Sequence, residues 1–227
     1  MYETLPRLEY LEARTFSEAE VEAILRVVAQ VRALTGELSG RTVQPLMCLF
    51  PPIAILRAVE AIAGARGRRL KIFEIGPGSG YLGAYLINAG HFYASMDITQ
   101  ALYLWQNRLF ASIAADGQEW VCDEGAGANC IHVPWWQFAR YHEALPIAAD
   151  IVVCDGAMGE MDTLGLFYNL RIARAMVDAS DCAAFMFRRI GEPRVNQLAT
   201  VEPSARVGWV HRPPNRRGLL LLTAWRA

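Results

Sequence analysis

One short stretch constrains this chain more than any other: residues 71–83, KIFEIGPGSGYLG, where an apolar run breaks into three closely spaced glycines and then enters a helical pattern. Ile72, Phe73 and Ile75 supply a strand, with Glu74 the one charge inside it. Gly76, Gly78 and Gly80 then form a tight turn without Cβ atoms. A ligand can therefore approach the backbone closely, and N–H groups at the helix start point towards it. Pro77 stiffens the turn. A strand, a glycine loop and a helix in this order read as one unit of an open α/β sheet, in which ligands sit beyond the carboxyl ends of the strands.

The rest of the chain supplies the other elements. Ser17 and Glu20 have the spacing of a capping box, and Val21, Ile24, Leu25, Val28, Val31 and Leu34 make an apolar stripe for a helix ending near Gly36. A second helix is expected from Pro52 to about Ile62. After the glycine loop, the helix over residues 81–89 stops at Gly90, and a strand over 91–96 ends at Asp97. Thr99 is placed to cap a helix over 100–113, with Leu102, Trp105, Leu109 and Ile113 as core and Tyr103 and Gln106 on the surface. Residues 130–136 read as a strand stopped by Pro134. Residues 149–155, ADIVVCD, form a buried strand ending in Asp155, followed by Glu160 and a helix with Leu164, Phe167, Leu170 and Ala173 on one face. A strand over 182–187 precedes two more, 206–211 and 218–225, which read as a closing hairpin.

At 227 residues the chain suits one α/β domain with an appendage. Its 22 basic and 23 acidic residues nearly cancel, so it carries no electrostatic footprint for nucleic acid or an anionic membrane. The most apolar stretch, residues 45–56, is broken by Pro51 and Pro52 and falls short of the roughly 18 residues a membrane span needs. The charged N-terminus lacks an apolar signal core, and a cytoplasmic location is expected. Cys48, Cys122, Cys130, Cys154 and Cys182 are odd in number and without paired spacing, and read as small buried hydrophobes.

The glycine loop admits two ligand readings. From Gly78 it is G-x-G-x-x-G, the dinucleotide fingerprint; from Glu74 it is E-x-G-x-G-x-G. A carboxylate beside the loop repels a pyrophosphate but suits a ligand carrying an ammonium and a sulfonium. On these residues the chain from about Lys71 to Ala227 resembles the class I methyltransferases that use S-adenosylmethionine (SAM). The resemblance implies a doubly wound, seven-stranded, mostly parallel sheet with a terminal antiparallel hairpin over residues 67–227, preceded by a helical lid or cover over residues 1–66. It places Glu74, Gly76, Gly78 and Gly80 around the methionine part of SAM, Asp97 on the ribose hydroxyls and Ile98 on the adenine, with Tyr81 also among the cofactor-binding residues. No acid follows the third strand to meet the adenine amino group. Trp135 and Trp136 offer aromatic faces there instead.

Absences narrow the acceptor. The place of the Asp/Asn-Pro-Pro-aromatic run of base-modifying enzymes reads Asp155-Gly-Ala-Met, and Arg188-Arg189 stands where metal-dependent relatives carry Asp-Asn. A metal-independent transfer to a small molecule, at a hydroxyl oxygen, is expected. Asp155 and Glu160 are the first candidates for the base, ahead of His132 and His142. Two other readings compete. An NAD(P)-dependent oxidoreductase would use the overlapping fingerprint, though Lys71 is the sole lysine and no Tyr-x-x-x-Lys pair exists. A SAM-binding interaction protein without catalysis is the other.

Overall fold

Burial along the strands decides the architecture. In β1 (Lys71–Ile75) all four residues after Lys71 are buried, although successive side chains point to opposite faces. A strand buried on both faces needs a covering layer on each. The computed structural model describes residues 16–45, 47–114, 116–119, 128–138, 147–178, 180, 182, 184–188, 209–212 and 219–224. His142, Cys122 and Arg189 lie outside them.

The strands that follow are β2 (Phe92–Asp97), β3 (Gly117–Glu119), β4 (Cys130–Pro134), β5 (Ile151–Asp155), β6 (Ala184–Arg188), β7 (Trp209–Arg212) and β8 (Leu219–Ala224). They form one sheet in the order β3-β4-β2-β1-β5-β6-β8-β7. The first six in that order pair parallel, β8 runs antiparallel to β6, and β7 runs antiparallel to β8. Among the described residues the sheet thus has eight strands, not the expected seven. The added one is β3, three residues at the sheet edge, too short to show a period of two. Strand order reverses between β1 and β5, which opens a crevice beyond the carboxyl end of β1.

The helices are α1 (Glu18–Ser39), α2 (Ile53–Arg66), α3 (Tyr81–Asn88), α4 (Gln100–Ile113), the single turn α5 (Trp135–Phe138) and α6 (Thr163–Val177). Residues of α1 to α4 share one core with Ile72, Tyr93, Cys130 and Ile151 on one face of the sheet. On the other face, α6 packs Leu166, Leu170, Ala173 and Met176 against Phe73, Ala94, Val152 and Phe185. Among the described residues no helix is long and apolar enough to cross a membrane.

Several helix expectations need correction. The Ser17 and Glu20 capping box forms, but α1 continues through Gly36 and ends at Gly40, whose φ of 67° makes it the left-handed cap. Helix α2 likewise runs a turn beyond Ile62, to a Gly67 cap. The two helices are tied by Arg57, whose Nη2 donates to Glu20 Oε2 at 2.6 Å. That bond holds the Glu20 carboxyl down at about 2. Leu164, expected in the core stripe of α6, is 80% exposed. Cys130 and Cys154 are buried, whereas Cys48 is exposed.

At the opposite end of the sheet from the glycine loop, one carboxylate joins three elements. Asp150 accepts from Arg68 Nη1 and Nη2 at 2.8 and 2.9 Å, from the Lys71 N–H at 2.8 Å and from Ser180 Oγ at 2.6 Å. Burial opposes its charge, but these donors prevail and hold it at about 2.

Candidate functional site

The glycine loop lies between β1 and α3, with Gly76, Gly78 and Gly80 at φ of 69°, 55° and 75°. These left-handed conformations are costly for any residue with a Cβ. Space matters as well at Gly76, where a Cβ would come within 2.8 Å of Ala157 Cβ. The absent side chain lets the 3₁₀ turn Ala157–Glu160 close against the loop. At Gly78 no atom of the described residues, its chain neighbours aside, would lie within 4 Å of a Cβ, so this face of the loop leaves room for a ligand.

Asp97 ends β2, next to the loop, and is buried. Its Oδ1 accepts the Thr99 N–H at 2.8 Å, and its Oδ2 accepts from Gln106 Nε2 at 2.9 Å. Thr99 stands at the N-cap of α4, but its side chain makes no capping bond. The same Gln106 nitrogen donates to the Gly78 carbonyl at 2.6 Å, and Trp105 Nε1 donates to the Ser79 carbonyl at 3.0 Å. Each Asp97 oxygen retains acceptor capacity, as a pair of ribose hydroxyls requires.

Glu74 is buried beneath the loop and accepts from the Tyr93 hydroxyl at 2.6 Å. Burial, reinforced by the Glu74 charge and hydrogen bond, pushes the Tyr93 phenol well above its ordinary range. On the same sheet face, Ser95 stands in register with Glu74 on one side and His132 on the other. His132 is buried, with Nδ1 2.7 Å from Asn107 Oδ1 and its ring stacked on Tyr103 at 4.2 Å. Burial pushes its imidazole down to about 3, so it is neutral. Enclosed in this way, it is no base for the crevice.

Of the remaining expected residues, Ile98 is 76% exposed just past Asp97, and Trp135 and Trp136 are 45% and 44% exposed at the end of β4. The two indoles meet edge-on at 6.0 Å. Because Asp97 and Pro134 are register partners, Ile98 and Trp135 leave adjacent strand ends. Pro134 closes β4, and Trp135 already belongs to the turn of α5, not to the strand as expected. Tyr81 is buried among core residues of α1 to α4. Asp155 is half-buried at the carboxyl end of β5, and Glu160 is exposed at the end of the turn that abuts Gly76. The 3₁₀ turn Met47–Leu49, before α2, reaches the loop as well. Its Leu49 carbonyl accepts from the Tyr85 hydroxyl at 3.0 Å, and Cys48 Sγ lies 3.8 Å from Ser79 Oγ.

Gln106 and Tyr103, expected on the surface of α4, are both buried. Two stripes are available on this helix, 102–105–109–113 and 103–106–110, and apolar count favours the first. The structure buries Tyr103, Gln106, Leu109 and Phe110, because a polar amide with two acceptors beneath it no longer belongs in water. Tyr93 was equally hidden, since a tyrosine in a strand carries no sign of its partner.

No family model matches the sequence, and no curated protein matches it. Solved structures do share its fold. Monomeric WbdD is 14% identical with a TM-score of 0.53 over 82% of this chain, and this chain spans 43% of the WbdD structure. The glycopeptide N-methyltransferase MtfA, crystallised with sinefungin, is 12% identical with a TM-score of 0.50, covering 73% of this chain and 90% of its own. A TehB-like SAM-dependent methyltransferase from Corynebacterium glutamicum is 17% identical with a TM-score of 0.50, covering 78% of this chain and 98% of its own.

Proposed function

Starting from a chain with the fold of the class I SAM-dependent methyltransferases, we propose that it transfers a methyl group from SAM to a hydroxyl oxygen of a small-molecule acceptor, without a metal. One observation carries the reading. The open glycine loop and the Asp97 carboxylate meet at the carboxyl ends of adjacent parallel strands, linked through Gln106. The residues present suit SAM: a loop face free of side chains at Gly78, a two-oxygen acceptor at Asp97 for the ribose, and exposed Ile98 and Trp135 for the adenine. Glu74, Gly76 and Gly80 complete the methionine side in this reading, and Tyr81 is a further cofactor-binding residue.

SAM, when bound, supplies a methyl already activated by its sulfonium. The protein has to align the acceptor with that methyl and take the hydroxyl proton. Asp155, at the end of the strand beside β1, and Glu160, on the turn against Gly76, are the proposed proton acceptors. The nearly neutral overall charge and the absence of a base-methylation motif support a small molecule over nucleic acid. A nitrogen acceptor is the second reading, favoured by the N-methyltransferase MtfA among proteins of this fold. The overlapping dinucleotide fingerprint gains no support from Gly83, because a Cβ there would lie 2.6 Å from the Tyr93 ring and packing alone demands glycine.

Calorimetric titration with SAM, S-adenosylhomocysteine and NAD(P)H, on wild type and Asp97→Ala, tests the cofactor. Binding of the SAM pair that the variant loses supports the proposal and leads to an acceptor screen of hydroxylated and amino compounds. Binding of NAD(P)H alone overturns it.

A further inference from the structure

We infer that Gln106 is a cofactor-positioning residue, which locks the glycine loop and the ribose-binding acid into one rigid unit from α4. The inference rests on the reading of Gly78 and Asp97 as parts of a SAM site.

Gln106 is fully buried. Its Nε2 lies 2.6 Å from the Gly78 carbonyl and 2.9 Å from Asp97 Oδ2. Both partners only accept, so the amide has a single admissible orientation, with one N–H for each. Its Oε1 has no hydrogen-bond partner among the described residues. A fully buried amide is a costly way to fill space, and packing alone does not account for it. What the side chain does supply is a bridge between the two cofactor-facing groups.

The bridge has geometric consequences at both ends. At the loop, a trans peptide turns the Ser79 N–H opposite to the Gly78 carbonyl, hence away from Gln106. Trp105, the preceding residue of α4, holds the next carbonyl, that of Ser79, at 3.0 Å. Two successive peptide planes of the loop are thus set by adjacent side chains of one helix. At the acid, Gln106 on Oδ2 and the Thr99 N–H on Oδ1 fix the carboxylate plane before any ligand arrives. A ligand then pays less to order its site.

The test is titration of wild type, Gln106→Leu and Gln106→Glu with S-adenosylhomocysteine across about pH 5 to 8, with thermal unfolding of each. Loss of hydrogen bonds that include one to a charged group should weaken Gln106→Leu by about tenfold or more. Gln106→Glu places a second carboxyl against Asp97, which raises the pKa of the pair. Its affinity should therefore approach wild type at the acid end, where one carboxyl is protonated and donates. It should fall as pH rises, while wild-type affinity stays flat. A merely structural role would move the unfolding temperature without that pH profile. Wild-type affinity and a flat profile in Gln106→Glu, or unchanged binding in a folded Gln106→Leu, overturns the positioning role while leaving the SAM reading intact. Failure of the wild type to bind overturns the SAM reading and the role with it.

Discussion

The Tyr93 hydroxyl donates to the Glu74 carboxylate at 2.6 Å, with both side chains buried between the sheet and its covering helices. The pair joins β1 to β2 directly beneath the glycine loop. Removing the donor in Tyr93→Phe leaves a buried carboxylate short of a hydrogen bond, at a cost of about 2 kcal/mol. Urea unfolding should show a lower midpoint with an unchanged slope. Equal midpoints would mean that water or another group replaces the phenol at no cost.

Gly83 of α3 belongs to the same packing. A Cβ at this position would lie 2.6 Å from Tyr93 Cζ, and the ring is enclosed on all sides. Gly83→Ala should destabilise by about 1–3 kcal/mol through overpacking, although alanine is the better helix former. A neutral or stabilised variant would show that the ring has room to move.

Asp155 and Glu160 are expected to act on the proton and not on the cofactor. Asp155→Asn or Glu160→Gln should lower turnover by about a hundredfold if that residue is the base, with SAM affinity nearly unchanged. Single-turnover kinetics on the first accepted substrate separate the two effects. Full turnover in both variants would remove these carboxylates from the chemistry.

His132 should make the fold sensitive to acid. Burial lowers its imidazole from 6.5 to about 3, so the unfolded chain binds a proton between these values and the native chain does not. Its contribution is therefore fully present above 6.5 and is lost as pH falls towards 3. The groups around the ring, Asn107, Tyr103 and Phe110, bring no compensating charge. Between neutral pH and about pH 4.5, wild type should lose about 2–3 kcal/mol more stability than His132→Gln. Parallel stability curves for the two proteins would contradict the assignment.

Asp150 works in the same sense as His132, in a more acidic window. Its carboxyl is held down at about 2, so its stabilisation is present above the unfolded value of 3.8 and disappears as pH falls through the folded one. At neutral pH, Asp150→Ala removes the acceptor that Arg68, the Lys71 N–H and Ser180 Oγ share. A loss of about 3 kcal/mol is expected in chemical unfolding. The distance of this cluster from the glycine loop predicts cofactor affinity close to wild type in the folded variant.

The local chemistry was legible in the sequence because it rests on spacing along one segment. The apolar run, the three glycines and the acids at strand ends are short-range patterns, and β1, α3, β2 and β5 stand where those patterns put them. Edge and surface features were less legible. Strand β3 is too short for a period, Gly36 continues a helix that only Gly40 ends, and Leu164 is apolar yet faces outward.

Which side chains meet was decided by tertiary structure alone. Gln106 joins Gly78 to Asp97 because parallel pairing of β1 and β2 brings both within reach of one amide, which lies 28 positions from the first and 9 from the second along the chain. The sequence of α4 carries two possible stripes of the same period, and the sheet beneath it selects the one that buries a glutamine against two acceptors. A hydrogen bond of this kind depends on positions in space to within a fraction of an ångström. Spacing along a single strand or helix determines which face a residue occupies, but only the packed sheet determines what it finds there.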